Sequence, residues 1–388
     1  MIATAPPDAP RYPYSPVRPS RGGLRPLCLN TALSAAPEGV GTLIEKNPAY
    51  SRIATEEAFF TADVSNGYRR LLDDGKFSDP GFRSLWGFYS SSMSARARFI
   101  FEGLHDLGEK RLAHMDAAGI DRQIIALTAP GVQVFDPATA SSLAVDANDQ
   151  LAEACRRHPD RFTGMAAVAP HDPANAVKEM ERAVKKLGFR AVIVNSHTQG
   201  HYLDEPQFLP VLEAAEALDV PIYLHPNTPP PAMIQPLLEA GLDGAIYGFG
   251  VETGMHMLRI IVAGVFDRFP KLQFIIGHTG EALPFWLYRL DYMHAATVRS
   301  ERYPNVKALK HPVSHYLKNN VYVTNSGVAW QPAIEFCQKV LGVERVMYAM
   351  DYPYQYVPEE VAICDAMTIP AADKQAFFEG NARRVFKL

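Results

Sequence analysis

The feature that most constrains this chain is a rhythm. From residue 52 onward, short apolar runs alternate with longer segments whose apolar residues fall three and four apart. The runs are RIATEEAF (52–59), QIIALTAPG (123–131), FTGMAAVAP (162–170), AVIVNSH (191–197), PIYLHP (221–226), LQFIIGHTG (272–280), VYVTNSG (321–327) and VMYAMDYP (346–353). Between them lie segments of helical spacing such as ANDQLAEACRRH, NAVKEMERAVKKLG and LPVLEAAEALD. The runs do not alternate apolar with polar residues, so each predicts a strand covered on both faces, as in a parallel sheet. Eight such strands, mostly separated by helices, predict an α/β chain folded as a (β/α)8 TIM barrel with loop insertions rather than an open doubly wound sheet. No GxGxxG or P-loop follows any of them. Two insertions stand out. FRSLWGFYSSS, between the first two strands, is read as an aromatic loop, and PNTPPPAMIQPLLEAGLDG, after the fifth, as a proline-rich loop crossing the barrel mouth.

The first 50 residues break the rhythm. PPDAPRYPYSPVRPSRGG is dense in Pro and Arg, almost without acids, and has no apolar period. Such a composition buries too little to offset its ordering entropy. Residues 1–50 are therefore expected to form a disordered extension and 51–388 the barrel domain. The extension lacks the roughly 7–15-residue apolar core of a secretory signal.

A net charge of −4 at pH 7 exerts no global pull toward nucleic acid or anionic membranes. No apolar run approaches the roughly 18 residues of a membrane helix. The four cysteines (Cys28, Cys155, Cys337, Cys364) are scattered and form no CxxC pair. That disfavours a thiolate metal site and fits a reducing cytoplasm.

Polar residues gather where the predicted strands end: Glu56, Thr128, His197, His225, His278, Asn325 and Asp351. In a barrel these ends converge on one face, where active sites sit. A lone histidine there more often makes a structural hydrogen bond, and a lone acid caps the next helix. The combination is different. Glu56, His225 and Asp351 offer two oxygens and one nitrogen, a set suited to Mn²⁺ or Zn²⁺ with positions open for water or a chelating substrate.

RIATEEAF, SLWGFY, LTAPGVQ, NSHTQGHYLDE, GFGVETGMH, GHTGEALPFWLYRLDYMH, VTNSGVAW and YAMDYPYQY resemble the decarboxylase branch of the metal-dependent amidohydrolase superfamily. The resemblance covers residues 52–388 and is strongest to the 5-carboxyvanillate decarboxylases; γ-resorcylate and 2,3-dihydroxybenzoate decarboxylases belong to the same branch. Barrels of the superfamily end strand one with HxH, strands five and six with His and strand eight with Asp. Here Glu56 takes the first HxH position. Side chains two apart on a strand point the same way, so Ala58 takes the second and cannot ligate, which moves the expected metal from Zn²⁺ toward Mn²⁺. Glu57 is expected to face the barrel wall in a structural ion pair.

The resemblance implies metal ligation by Glu56, His225 and Asp351, with His278 near the metal-bound water or substrate and Glu281 hydrogen-bonded to it. It implies non-oxidative decarboxylation of a hydroxylated aromatic acid, in the breakdown of lignin-derived compounds. Asp351 is the candidate proton donor, with His278 and Glu281 the competing choice. A second substrate carboxylate would need a cation: Arg96, in the loop after SLWGFY, or Arg289, reaching a neighbouring pocket in a homodimer or homotetramer. Tyr354, Thr128 and His197 are further candidate substrate contacts, and Trp86, Phe88 and Tyr89 could pack over the ring. Of the other histidines, His105, His114, His158, His171, His294, His311 and His315 are assigned to surface or packing, while His201 and His256 stay open as neighbours of the pocket loops. The rival readings are γ-resorcylate or dihydroxybenzoate decarboxylation and, in a different class, metal-dependent hydrolysis of a lactone or amide.

Overall fold

The computed structural model describes residues 43–75 and 77–388. Eight strands, β1 (Ile53–Phe59), β2 (Arg122–Leu127), β3 (Phe162–Ala167), β4 (Ala191–Asn195), β5 (Ile222–His225), β6 (Phe274–Ile276), β7 (Val321–Thr324) and β8 (Val346–Met347), form one sheet in chain order. Every neighbouring pair is parallel. Thr55 N donates to Tyr348 O at 3.1 Å and Ala58 N to Tyr352 O at 2.7 Å, joining the β8 exit to β1. The molecule is a (β/α)8 barrel. All residues of β3 and β4 are buried, which accounts for their continuous apolar runs.

The strands are shorter than the apolar runs. The tails GHTG and YAMDYP leave the ladder and become the turns that carry polar groups.

Both insertions contain helices where loops were expected. The β1–β2 crossing holds α1 (Ala62–Asp73), α2 (Pro80–Ser91), α3 (Ala95–His105) and α4 (Glu109–Ala117). The aromatic segment is α2. Asp79 caps it by accepting from Phe82 N at 2.9 Å, Pro80 stands in the first turn, and Phe82 and Trp86 bury one face at i, i+4 spacing. Arg96 consequently stands in the first turn of α3 rather than in a loop. Further along come α5 (Pro137–Arg157), α6 (Pro173–Lys185), α7 (Leu209–Leu218), α8 (Pro231–Ala240) and α9 (Gly248–Val262). The proline run after β5 leads into α8, which Pro231 opens and left-handed Gly241 (φ 67°) closes.

Of the expected extension, residues 1–42 lie outside the described residues, whereas 43–50 pack onto the barrel. Tyr50 is buried, its ring stacked 5.1 Å from that of Phe378 and its hydroxyl donating to Asp365 Oδ1 at 2.5 Å. Among the described residues no helix is long and apolar enough to cross a membrane.

Candidate metal centre and active site

Glu56 lies in the middle of β1 and is 5 % exposed. Its two oxygens have different surroundings. Oε2 accepts from the Tyr223 hydroxyl of β5 and from Thr324 Oγ1 of β7 at 2.8 Å. Oε1 is buried and has no hydrogen-bond partner. It stands 3.6 Å from His225 Nε2 and 3.9 Å from His278 Nε2. Gly277 makes room for this carboxylate, because a Cβ there would lie 2.7 and 2.8 Å from its oxygens.

His225 closes β5. Its Nδ1 is 2.8 Å from Pro226 O, an acceptor that requires the proton on Nδ1 and leaves Nε2 with its lone pair. Burial, reinforced by the neighbouring His278 and opposed by Glu56, holds this imidazole below its ordinary value. Its Nε2 offers a nitrogen donor beside Glu56 Oε1. His278 follows β6 in a run of left-handed residues, His278 (φ 51°), Thr279 (57°), Gly280 (80°), Glu281 (51°) and Ala282 (61°). Such a run is unfavourable for non-glycine residues and signals a functional constraint. It brings Glu281 Oε1 within 2.7 Å of His278 Nδ1. Burial opposes charge on His278, but Glu281, Glu56 and Asp351 outweigh it and the imidazole is pushed up to about 10. Gly250 of α9 leaves space for Glu281, whose Oε2 would be 2.8 Å from an added Cβ.

Asp351 lies past β8 in a left-handed conformation (φ 67°) and is half-buried. Burial and Glu56 push it upward, against the pull of His278 and Arg96. Glu56, His225 and Asp351 line one cavity of about 10 Å³, close to the space of a single water. Among the described residues, no group of three or more His, Cys, Asp or Glu side chains is placed to hold a metal ion as it stands. A divalent cation nevertheless suits the donors present: a buried carboxylate oxygen without a partner, and an imidazole lone pair beside it.

The expected alternation along β1 is broken. Ala54 pairs with Gln123 but Glu57 with Ile125, so β1 carries one extra residue there. The Glu57 carboxylate meets Gln123 Nε2 at 3.4 Å, and Gln123 in turn accepts from Arg111 of α4 at 3.1 Å, so the side chain reaches toward the helix layer. Its other partners are the amides of Met350 at 3.0 Å and Tyr352 at 3.1 Å, not an ion-paired side chain.

On the substrate side, Thr128 Oγ1 and Tyr354 Oη are 2.6 Å apart, and the Tyr354 ring meets Tyr89 edge-on at 5.8 Å. Arg96 is exposed and donates one Nη2 bond to Tyr354 O at 2.7 Å. Trp86 belongs to the core, its Nε1 donating to Ala129 O at 3.2 Å, while Phe88 is exposed. His197 has no free nitrogen. Nε2 is 2.9 Å from Thr228 O, and Nδ1 accepts from Gly200 N at 3.1 Å. His256 is fully buried, accepting from Leu203 N at 2.9 Å through Nε2 and meeting Ser196 Oγ at 3.0 Å through Nδ1. Arg289 lies on the helix Leu283–Arg299, away from this cluster, on a face that also exposes Phe285, Tyr288 and Tyr292. Tyr223 and Thr324 were not singled out from sequence. The signal existed for Tyr223, two residues before His225 on the same strand and hence on the same face.

A family model described as amidohydrolase matches residues 100–388. Among solved structures, 5-carboxyvanillate decarboxylase from Novosphingobium aromaticivorans DSM 12444, complexed with manganese and 4-hydroxy-3-methoxy-5-nitrobenzoic acid, is similar at 57% identity and a TM-score of 0.88, over 90% of this chain and 99% of that one. Dihydroxybenzoic acid decarboxylase from Polaromonas sp. JS666, with bound manganese and the inhibitor 2-nitroresorcinol, is similar at 32% identity and a TM-score of 0.76, over 87% and 97%. Among curated proteins, the γ-resorcylate decarboxylase of Polaromonas sp. (strain JS666 / ATCC BAA-500) is 36% identical over 346 residues, 87% of this chain and 98% of the relative.

Proposed function

This chain belongs to the amidohydrolase family, and from that premise we propose that it is a Mn²⁺-dependent decarboxylase of hydroxylated aromatic acids, with 5-carboxyvanillate as substrate and vanillate and CO₂ as products. The single observation that carries the reading is the unpartnered Glu56 Oε1 beside the His225 Nε2 lone pair. The 57% identity to a manganese-bound 5-carboxyvanillate decarboxylase supports it.

Glu56, His225 and Asp351 would hold the metal. When bound, Mn²⁺ would supply Lewis-acid attraction for the adjacent phenolate and carboxylate oxygens of the substrate. The chain's own residues do the rest. Tyr223 and Thr324 occupy Glu56 Oε2, so Oε1 remains the free donor. Asp351, which lines the same cavity as Glu56 and His225, is the group assigned to pass a proton to the ring carbon that bears the departing carboxylate. The C–C bond then breaks, CO₂ leaves with the carboxylate carbon, the ring regains aromaticity, and Asp351 recovers a proton from water. The competing donor is His278, whose charged form Glu281 favours.

Arg96 is assigned to the second carboxylate, since its single bond to Tyr354 O leaves other guanidinium donors available. Tyr354, Thr128 and Tyr89 would flank the ring. His197 is left out, as both its nitrogens are engaged. The exposed aromatic residues around Arg289 support an oligomer, dimer or tetramer, in which Arg289 reaches a neighbouring site. Residues 51–388 would form the catalytic domain, and the reaction would serve breakdown of lignin-derived aromatics.

The test is an anaerobic assay of Mn²⁺-loaded protein with 5-carboxyvanillate, following vanillate and CO₂. Equal amounts of both, abolished by Asp351→Asn, are expected. CO₂ from γ-resorcylate alone would replace the substrate with that of the 36%-identical relative and keep the site.

A further inference from the structure

The second carboxylate of the EE pair is not a ligand in the reading above, yet it is 1 % exposed and held by three hydrogen-bond donors. Its Oε1 accepts from Met350 N at 3.0 Å, and its Oε2 from Tyr352 N at 3.1 Å and Gln123 Nε2 at 3.4 Å. Those two amides belong to the residues immediately before and after Asp351. Behind Glu57 stands Arg111, fully buried. It donates Nη1 to Gln123 Oε1 at 3.1 Å and Nη2 to Ala58 O at 2.6 Å, and lies 4.6 Å over the Tyr352 ring.

We propose that Glu57 is a positioning residue for Asp351: by bridging the amides on either side of it, Glu57 fixes the left-handed turn that directs the Asp351 carboxyl toward Glu56 and the metal. A left-handed aspartate is unfavourable in isolation and persists only where its surroundings hold it. The other bonds of this segment share the task without touching the same groups. Ala349 N donates to Asn325 Oδ1 at 3.0 Å, and Asp351 O accepts from Gln355 N at 2.8 Å. Among the described residues, Glu57 alone holds the amides on both flanks of Asp351 with one carboxylate. A glutamine in its place has one acceptor oxygen and turns an N–H toward the other amide.

The inference rests on Asp351 being a metal ligand, and a double-mutant cycle on Mn²⁺ affinity separates the two. Affinity is measured by titration against the free Mn²⁺ EPR signal in wild type, Glu57→Gln, Asp351→Asn and the double variant. Asp351→Asn should weaken binding strongly. Glu57→Gln should weaken it about tenfold, as loss of an orienting partner does, and the double variant should bind no worse than Asp351→Asn. Hydrogen exchange at the Met350 and Tyr352 amides should also accelerate in Glu57→Gln. Full additivity of the two losses, or unchanged affinity in Glu57→Gln, would overturn the positioning role. Wild-type affinity in Asp351→Asn would instead overturn the metal-site reading, and this inference with it. If Glu57→Gln does not fold, Glu57→Asp, which keeps the charge but shortens the reach, gives the same cycle.

Discussion

Tyr223 donates its hydroxyl to Glu56 Oε2 and thereby divides one carboxylate into two unlike oxygens, one satisfied and one free. Tyr223→Phe keeps the ring in its fully buried place and removes that bond together with the 3.2 Å contact to Thr324 Oγ1. Mn²⁺ affinity should fall about 10–100-fold, while the free energy of unfolding changes by only about 1 kcal/mol. Calorimetric titration and denaturant unfolding measure the pair. A large stability loss with intact affinity would count against Glu56 as a ligand.

Arg96 is the residue proposed to meet a second substrate carboxylate. Arg96→Ala should raise KM for 5-carboxyvanillate about tenfold, the scale of one charge-assisted contact, and leave KM for γ-resorcylate unchanged. Steady-state kinetics on both compounds decides it, and an equal effect on both would remove Arg96 from the recognition of a second carboxylate.

Trp86 is a core residue packed 4.9 Å from both Phe60 and Tyr68, so its truncation should act on stability. Trp86→Ala is expected to cost about 3–5 kcal/mol in chemical denaturation. A milder Trp86→Phe should restore most of the loss and leave kcat near the wild-type value.

The His278–Glu281 pair predicts a pH dependence in the metal-free protein. An imidazole raised to about 10 on folding adds stability that is complete below its unfolded value of about 6.5 and disappears as pH rises through the folded one. Wild type should therefore lose more Tm between pH 7 and 10 than Glu281→Gln, whose imidazole lacks its main partner. Parallel Tm curves would show that Glu281 does not set the charge of His278.

The barrel and its metal-ligand candidates were legible because both follow from simple periodicities. Continuous apolar runs marked eight buried strands, and the convergence of strand ends pointed to His225 and Asp351, although Glu56, read as a strand end, lies three residues before the end of β1. What stayed hidden was set by local exceptions. One extra residue in β1 shifts its pairing with β2 between Ala54 and Glu57, and no residue type in RIATEEAF announces it. The α2 segment reads as a loop because Gly and Ser dilute its helical spacing, although Asp79-Pro80 is a helix-start signal. His197 exhausts its hydrogen-bonding capacity on Gly200 N, three residues on, and on Thr228 O, which becomes its neighbour only once the β4 and β5 exits are folded side by side.

The seam of the barrel is made by the β8 exit itself: Tyr348 O and Tyr352 O take the β1 amides of Thr55 and Ala58, with Asp351 between them. Barrel closure and the turn that carries the proposed ligand Asp351 therefore share one short stretch of backbone. A substitution that shifts this stretch would disturb the join and the Asp351 turn together, whereas changes in α1 or α8 leave the two seam bonds in place.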